Sequence, residues 1–287
     1  MERRNIIENP KLYVLTCGSL WVELGFILHF GTYLDTRKPY TSSSFQLSST
    51  QYFIDHPEAK IVVDLGYNPE DVINKAGFPG RANEDGITFK QEKDQNPKAQ
   101  LEKIGVSLDD IDYVIISHLM QEHAGYLPLF EGKKAKIVVQ RRELEYAYAN
   151  ANRKQALEPF HSWMYYKRHF DLPGLNFTMI EGDFTLASGV EIIFTPGHTP
   201  GYQMVRVDLK KEGTIILSPC ELELMYFGIG INARAPGIPH SFTYSAGDEL
   251  RNFRKIAALA KKKKGRIFFG HDQVQFNTLK KIPDFYE

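Results

Sequence analysis

Cysteine is scarce in this sequence, which holds only Cys17 and Cys220 among its 287 residues. Two cysteines are too few for a disulfide framework and suit a reducing compartment. Long apolar runs are also lacking, and the N-terminus, Met-Glu-Arg-Arg-Asn, offers no apolar stretch for a signal peptide. We therefore expect a cytoplasmic protein without a membrane span.

An excess of charge of either sign is lacking too, since 35 lysines and arginines balance 35 aspartates and glutamates. No global field favours nucleic acid or an anionic membrane, so the expected partner is a small-molecule substrate. Hydrophobic residues make up 43% and charged residues 24%, which is typical of a globular protein. We predict a single domain over residues 1–287, and the sequence says nothing about the oligomeric state.

Short apolar segments bounded by turn residues recur along the chain and are typical of strands. Helical patterns lie between them, and segments 77–95 and 150–168 are candidate loops or insertions. Interleaved strands and helices favour a layered α/β domain in which helices cover a sheet. The predicted strands are residues 11–16, 60–63, 113–116, 136–139, 190–194, 214–217 and 266–269, and the predicted helices are residues 97–104, 142–149 and 247–260.

One loop after an apolar strand carries two histidines and a carboxylate. In the run Tyr-Val-Ile-Ile-Ser-His-Leu-Met-Gln-Glu-His-Ala-Gly, these are His118, Glu122 and His123. Imidazole and carboxylate are the usual donors to Zn²⁺ and Fe²⁺, and a loop at a strand end can turn them toward one point. A lone histidine beside a strand is nevertheless more often hydrogen-bonded in the core than a metal ligand.

Two further strand ends weaken that structural alternative. His198 lies in the rigid turn Thr-Pro-Gly-His-Thr-Pro-Gly, and His271 lies in Gly-His-Asp directly after an apolar run. Three separate strand ends that each offer a histidine favour convergence on one edge of a sheet, where α/β proteins keep their sites. The sequence therefore predicts a metal site at that edge.

These motifs resemble those of the metallo-β-lactamase superfamily, whose loop pattern His-x-His-x-Asp-His is followed by further His, Asp and His ligands. The likeness covers essentially the whole chain and is strongest to the N-acyl homoserine lactone lactonase branch, through residues 11–18, 140–147, the His198 turn and residues 270–286. The resemblance implies an α/β fold, a four-layer αββα sandwich with the metals at one edge of its paired sheets. The ligand set that it implies is His118, Glu122, His123, His198, Cys220 and His271.

Three positions depart from the family pattern. Met120 stands where the second histidine belongs, and a thioether is a poor Zn²⁺ ligand that suits softer metals. Glu122 stands in place of the aspartate and keeps a carboxylate. Cys220 stands where lactonases have a metal-bridging aspartate; its thiolate would be an excellent Zn²⁺ ligand, although a free cysteine is more commonly a small buried hydrophobe.

The resemblance also implies supporting residues. Asp64, in Ile-Val-Val-Asp-Leu-Gly, resembles the aspartate that orients a ligand histidine, and a turn-capping role is the simpler alternative. A proton donor to the leaving group is needed, and the candidates are Glu122, Glu223 and Tyr226. The lactonase tyrosine that touches the substrate carbonyl is replaced here by Glu223.

This ligand set predicts a metal-dependent hydrolase of a small cyclic ester, amide or related acyl compound, acting through a metal-bound hydroxide. Zn²⁺, as one or two ions, is the expected cofactor, and Fe²⁺ or Mn²⁺ are alternatives. Two other hypotheses stay open: an iron-dependent redox enzyme, or a degenerate, non-catalytic binding protein. Aromatic residues that either line a substrate pocket or belong to the core are Trp21, Phe26, Phe30, Tyr226 and Phe227.

Overall fold

The computed structural model describes residues 9–23, 27, 44–70, 88–151, 164–227 and 237–287. Within these residues, seven strands form the first sheet: β1 (Lys11–Glu23), β2 (Ser44–Asp55), β3 (Lys60–Val63), β4 (Thr88–Lys90), β5 (Tyr113–Ile115), β6 (Lys136–Gln140) and β7 (Asn176–Ile180). Their spatial order is β4-β1-β2-β3-β5-β6-β7, and β3, β5, β6 and β7 run parallel to one another.

In the part of the chain that the structure describes, five strands form the second sheet: β8 (Phe184–Ala187), β9 (Val190–Phe194), β10 (Gln203–Leu209), β11 (Gly213–Ser218) and β12 (Arg266–Phe269). They lie in the order β12-β11-β10-β9-β8. Among these described strands, the β11–β12 pair alone is parallel, so the carboxyl ends of these two strands lie side by side.

The helices of the described residues are α1 (Pro97–Glu102), α2 (Gln121–Ala124), α3 (Arg141–Asn150), α4 (Lys167–Phe170), α5 (Glu223–Phe227), α6 (Ala246–Lys263) and α7 (Gln273–Thr278). The longest, α6, begins after Ser245, whose side chain accepts a hydrogen bond from Asp248 N, and ends at Lys264 in the left-handed conformation. Within the described ranges, no helix is long and apolar enough to cross a membrane.

Three apolar clusters hold these layers together. One fills the space between the sheets and joins residues such as Val14 and Val63 to Ile192 and Val205. A second covers the outer face of the first sheet, beneath α1 to α4, and a third packs α5 and α6 on the outer face of the second sheet. The order helix, sheet, sheet, helix confirms the four-layer αββα sandwich.

Most predicted segments lie within the observed elements, but several strands were missed. Segment 60–63 matches β3, whereas β1 extends seven residues beyond the predicted 11–16, past an irregularity between Thr16 and Ser19. The strand β2 was not predicted because its centre, Ser-Ser-Thr-Gln, is polar, yet these side chains are buried. Residues 88–90, taken for part of a loop, form the short strand β4.

The first sheet is hydrogen-bonded to the second at one edge. Ser48 N and Thr50 N, on β2, donate to His271 O and Gly270 O, at the end of β12, and Ser48 Oγ also donates to Gly270 O. Gly270 also lies against Pro219, which follows β11. A Cβ atom at position 270 would lie 1.9 Å from Pro219 O, so only glycine allows the segments after β11 and β12 to approach so closely. This edge gathers the residues that the sequence singled out.

Candidate metal centre

The first sheet contributes a pair of parallel strand ends. Asp64 follows β3 in the left-handed conformation (φ 56°). It accepts hydrogen bonds from Ser117 N and Ser117 Oγ, both at 2.7 Å, and lies 2.8 Å from His123 Nδ1. Since Nδ1 faces a carboxylate, Nε2 of His123 is left to face the neighbouring donors, and it lies 4.0 Å from Glu122 Oε1. Asp64 therefore contacts the Nδ1 side of the His123 ring, and its predicted role in orienting a ligand histidine stays a prediction.

The second sheet contributes three more strand ends. His198 lies in the turn between β9 and β10, which is closed by the Thr195 N to Tyr202 O hydrogen bond. Cys220 follows β11 and His271 follows β12. The Nδ1 of His271 lies 2.8 Å from the Ser48 carbonyl and must carry a proton to donate there, so its Nε2 is the basic nitrogen.

Cys220 belongs to two donor groups. In the first, one donor atom each from His118, Glu122, His123 and Cys220 all lie within 4.8 Å of one another, and in the second the same holds for His198, Cys220 and His240. The ring centroids of His118 and His198 are 4.8 Å apart, so the two groups adjoin. His271 lies beside them, with its ring centroid 5.3 Å from that of His123.

In the described parts of the chain, this region contains several buried carboxyl groups and polar atoms that lack a hydrogen-bond partner. The carboxyl groups of Asp64, Glu122, Glu221 and Glu249 are all buried, with at most 7% of any of these residues exposed, and no lysine or arginine among the described residues is buried. Asp64 and Glu249 instead contact the imidazoles of His123 and His240. Within the described residues, Glu122 Oε2 and His123 Nε2 have no hydrogen-bond partner. Buried charge and unpaired polar atoms are costly unless they are compensated, and a divalent cation would compensate both. These donors therefore fit a metal of the kind the sequence predicts.

The protonation of these groups follows from the same burial. Burial raises the pKa of Glu122, and it raises the pKa of the Cys220 thiol well above its usual value, with the Glu221 carboxylate adding to the effect. Burial, reinforced by the charge of His123, lowers the pKa of His271 to about 3. For His123 itself, burial acts to lower the pKa, but the charge and hydrogen bond of Asp64 outweigh it and raise it. A bound cation would favour the thiolate and carboxylate forms instead.

Two of the three predicted proton donors lie elsewhere. Glu223 is exposed and lines a surface groove between α5 and α6, together with Phe227. The hydroxyl of Tyr226 lies 3.1 Å from Ser218 Oγ and 3.6 Å from Met204 Sδ, and its ring packs on Phe253 in the core. Glu223 belongs to neither donor group, and the Tyr226 hydroxyl contacts Ser218 and Met204, so a role for either residue as the proton donor stays a prediction.

The remaining predicted residues have other surroundings. Met120 is fully buried and belongs to the apolar cluster on the outer face of the first sheet. Trp21 lies beneath Lys90, with the ammonium 4.9 Å from the ring centroid, and Phe227 is 43% exposed on the surface groove. Phe26 and Phe30 lie outside the described residues.

The sequence did not reveal several buried residues of this centre, among them His240, Glu249 and Glu143. His240 lies before α6, and its Nδ1 contacts Glu249 Oε1. Glu143, on α3, accepts hydrogen bonds from Leu119 N at 2.9 Å and Thr199 Oγ1 at 2.6 Å, so it ties the two histidine loops together. No strand-like run precedes His240, and the glutamates look like ordinary helix residues, so only the fold brings them to the site.

Comparison with known proteins agrees with this architecture. The sequence profile described as the metallo-beta-lactamase superfamily matches residues 45–218. An N-acyl homoserine lactonase of Bacillus thuringiensis is 30% identical over 238 residues, which are 82% of this chain and 85% of the relative. The N-acyl homoserine lactonase AttM of Azorhizobium caulinodans is 28% identical over 288 residues, which are 96% of this chain and 98% of the relative.

A solved structure extends the comparison to three dimensions. An N-acyl homoserine lactone hydrolase with the product N-hexanoyl-L-homoserine at its catalytic metal centre is 27% identical, with a TM-score of 0.74, and the match covers 96% of this chain and 98% of that one. Fold, sequence profile and relatives agree over most of the chain. The chain therefore belongs to the metallo-beta-lactamase superfamily and is a lactonase-like hydrolase within it.

Proposed function

We propose that this hydrolase opens a small cyclic ester, or cleaves a related acyl compound, and that zinc is the metal it uses. The observation that carries this proposal is the buried, acidic donor set in which Cys220 Sγ is shared by two groups of ligand atoms. A thiolate with imidazole and carboxylate donors is a preferred environment for Zn²⁺. Elemental analysis of protein purified without added metal distinguishes zinc from iron and manganese.

A bound divalent cation would lower the pKa of a water molecule toward neutrality, so that the water could lose a proton and attack a carbonyl carbon. It would also polarise the carbonyl oxygen. The residues of this chain hold the donors in place. Asp64 and the Ser48 carbonyl engage the Nδ1 atoms of His123 and His271, which directs the opposite ring nitrogens inward. Burial of the donors excludes bulk water and strengthens their electrostatic effect.

The protonation of the leaving oxygen falls to Glu122 in this proposal. It is the one of the three predicted donors whose carboxylate lies among the imidazoles, with Oε1 3.9 Å from His118 Nε2. Its Oε2 has no hydrogen-bond partner among the described residues. A carboxyl group that is not fully occupied by ligation can pass a proton to the leaving group.

The substrate class is inferred from the relatives, which are N-acyl homoserine lactonases. An N-acyl homoserine lactone is therefore the first substrate to test, although Glu223 replaces the family's substrate-contacting tyrosine and is directed to the outer groove. Simple γ-lactones, aryl esters and amides complete the panel. The iron-dependent redox and non-catalytic hypotheses gain no support from these relatives.

The test is hydrolysis by zinc-loaded protein. It is measured through the proton that is released when a lactone is converted to a hydroxy acid. We expect turnover of at least one ester of the panel, its loss on chelation and its loss in the His198→Ala variant. His56→Ala is the matched control, because His56 is also buried but contacts the Ser188 carbonyl, outside both donor groups. If fully zinc-loaded protein hydrolyses no lactone, ester or amide, the proposed function is wrong.

A further inference from the structure

The segment before α6 brings a histidine to the metal centre that the strand-end pattern does not contain. His240 is 1% exposed, and its ring centroid lies 4.2 Å from that of His198. We propose that His240 is a metal ligand, which completes a three-donor position with His198 and Cys220 beside His118, and that Glu249 is the residue that positions its ring. This inference rests on the metal centre of the proposed function, but not on the reaction or substrate.

The donor distances agree with one shared ion. Cys220 Sγ lies 3.4 Å from His198 Nε2 and 3.7 Å from His240 Nε2. In a tetrahedral zinc site with Zn–S of about 2.3 Å and Zn–N of about 2.0–2.1 Å, a sulfur and a nitrogen lie roughly 3.5 Å apart. Three protein donors with a fourth position open to water are the arrangement of catalytic zinc sites.

The orientation of His240 is fixed from behind. Glu249, in the first turn of α6, contacts His240 Nδ1 through Oε1 and accepts a hydrogen bond from His240 N through Oε2 at 3.3 Å. Since the carboxylate occupies Nδ1, the ring presents Nε2 toward Cys220. A carboxylate on the far nitrogen of a ligating histidine sets its tautomer and makes it a stronger donor.

The His198 turn and this segment are joined directly. Tyr244 N and Ser245 N donate to His198 O and Gly197 O, at 3.0 and 2.8 Å. A side chain at Gly197 would lie 2.5 Å from Glu249 N and Cα, so glycine allows the turn to lie against α6. These contacts fix the position of the His198 turn relative to the segment that carries His240.

The donor supplied by His240 would offset the one that Met120 cannot supply. The first-sheet loop carries a thioether where imidazole would be a better zinc ligand, and Met120 is packed in the apolar core. In the described residues, the imidazole nitrogen that is absent from this loop is supplied from the segment before α6, 120 residues further along the chain.

A structural role for His240 makes a different prediction. Its Nε2 also lies 3.2 Å from the Cys220 carbonyl oxygen, and a protonated ring held between this carbonyl and Glu249 would need no metal. Nitrogen-15 spectra of histidine-labelled wild-type protein separate the two cases during titration with zinc chloride. We expect Nε2 of His240 to lose its proton and take the shift of a zinc-bound nitrogen as zinc approaches saturation. A proton retained on this atom at saturation overturns the proposal.

Metal content of variants gives a second, independent measurement. His240→Gln should lose the ion at one position, whereas Glu249→Gln should show a smaller effect, a roughly 10–100-fold weaker zinc affinity, because it acts through the ring. Met120→Leu is the matched control and should keep wild-type zinc affinity, because it replaces a core side chain of similar volume. Circular dichroism of the metal-free variants checks that each one folds.

The outcomes distinguish this inference from the proposed function. If His240→Gln retains the zinc affinity of wild type while His198→Ala loses it, His240 is not a ligand, and the lactonase proposal is unaffected. If His240→Gln loses an ion but the zinc-loaded wild type hydrolyses nothing in the panel, the ligand assignment stands and the proposed function fails.

Discussion

The two sides of the metal centre are built in different ways. On the first-sheet side, one short loop and helix supply His118, Glu122 and His123 within six residues. On the second-sheet side, His198, Cys220 and their neighbours come from separate turns that only the fold brings together. The donors on the first-sheet side are visible in the sequence as one motif. A donor on the second-sheet side can be gained or replaced without any change to that motif.

The supporting groups differ in the same way. Asp64 serves the first side from the end of the adjacent strand, through hydrogen bonds to Ser117 and His123. The second side is supported by helices, because Glu249 on α6 contacts His240, and Glu143 on α3 accepts a hydrogen bond from Thr199. Ligand geometry on the second side therefore depends on how the outer helices pack.

Replacement of Cys220 should have the largest effect, because this residue belongs to both donor groups. We expect Cys220→Ala to lower zinc content more than any single histidine variant. In Co²⁺-substituted protein, it should also abolish the sulfur-to-metal charge-transfer band in the near ultraviolet. Cys17→Ala is the control, because Cys17 is equally buried but donates to the Leu65 carbonyl. A band that persists without Cys220 would refute ligation by its thiolate.

Each single histidine variant should lose the metal ion on one side of the centre and keep most of the metal on the other. His198→Ala should remove the ion of the second side and leave much of the zinc bound by His123 and Glu122, whereas His271→Ala, beside His123, should do the reverse. Zinc per chain, measured after dialysis against trace chelator, checks both variants. Unchanged zinc content in both would contradict the assignment of the site.

The tie between the sides can be tested without metal. In Glu143→Ala, the buried donors Leu119 N, Thr199 Oγ1 and Tyr165 OH lose their acceptor, so we expect the free energy of unfolding of metal-free protein to fall by about 3 kcal/mol. Urea denaturation measures this change. Glu145→Ala, at an exposed position of the same helix, should change stability by less than about 0.5 kcal/mol. Equal effects would mean that Glu143 does not tie the loops.

The smallest effect is expected from Asp64→Asn. Asparagine tolerates the left-handed backbone at this position, so the chain should fold, but the carboxylate behind His123 is lost. Zinc affinity should fall roughly 10–100-fold. Asp112→Asn serves as the control, since Asp112 caps the opposite end of β3 by accepting a hydrogen bond from Lys60 N. An unchanged zinc affinity would mean that Asp64 only caps a turn and does not orient His123.

The sequence was most informative where function and local pattern coincide. Apolar runs that end in a histidine predicted β5 and β12 and the residues that follow them, because a strand end places its next side chain at the edge of the sheet. The αββα layering came from the family resemblance, since the polar, buried centre of β2 hides that strand from any reading of hydropathy.

The rest of the site was beyond prediction for a physical reason. The approach of His240 to His198 is set by hydrogen bonds between segments more than 40 residues apart, such as Tyr244 N to His198 O. Likewise, the family resemblance made Tyr226 a candidate acid, and only packing against Phe253 reveals that its ring belongs to the core. Tertiary contacts of this kind leave no periodic pattern in the sequence.

A metal ion bound by Cys220 would link metal uptake to folding. Cys220 extends from the second sheet, while Glu122 and His123 extend from the first, so an ion shared among them would cross-link the two halves of the sandwich. A ligand that binds only the native state raises the free energy of unfolding by RT ln(1 + [L]/Kd), about 4 kcal/mol at a thousandfold excess over Kd. The apparent stability of this protein should therefore follow the free zinc concentration of its surroundings, and zinc starvation should expose it to unfolding and proteolysis.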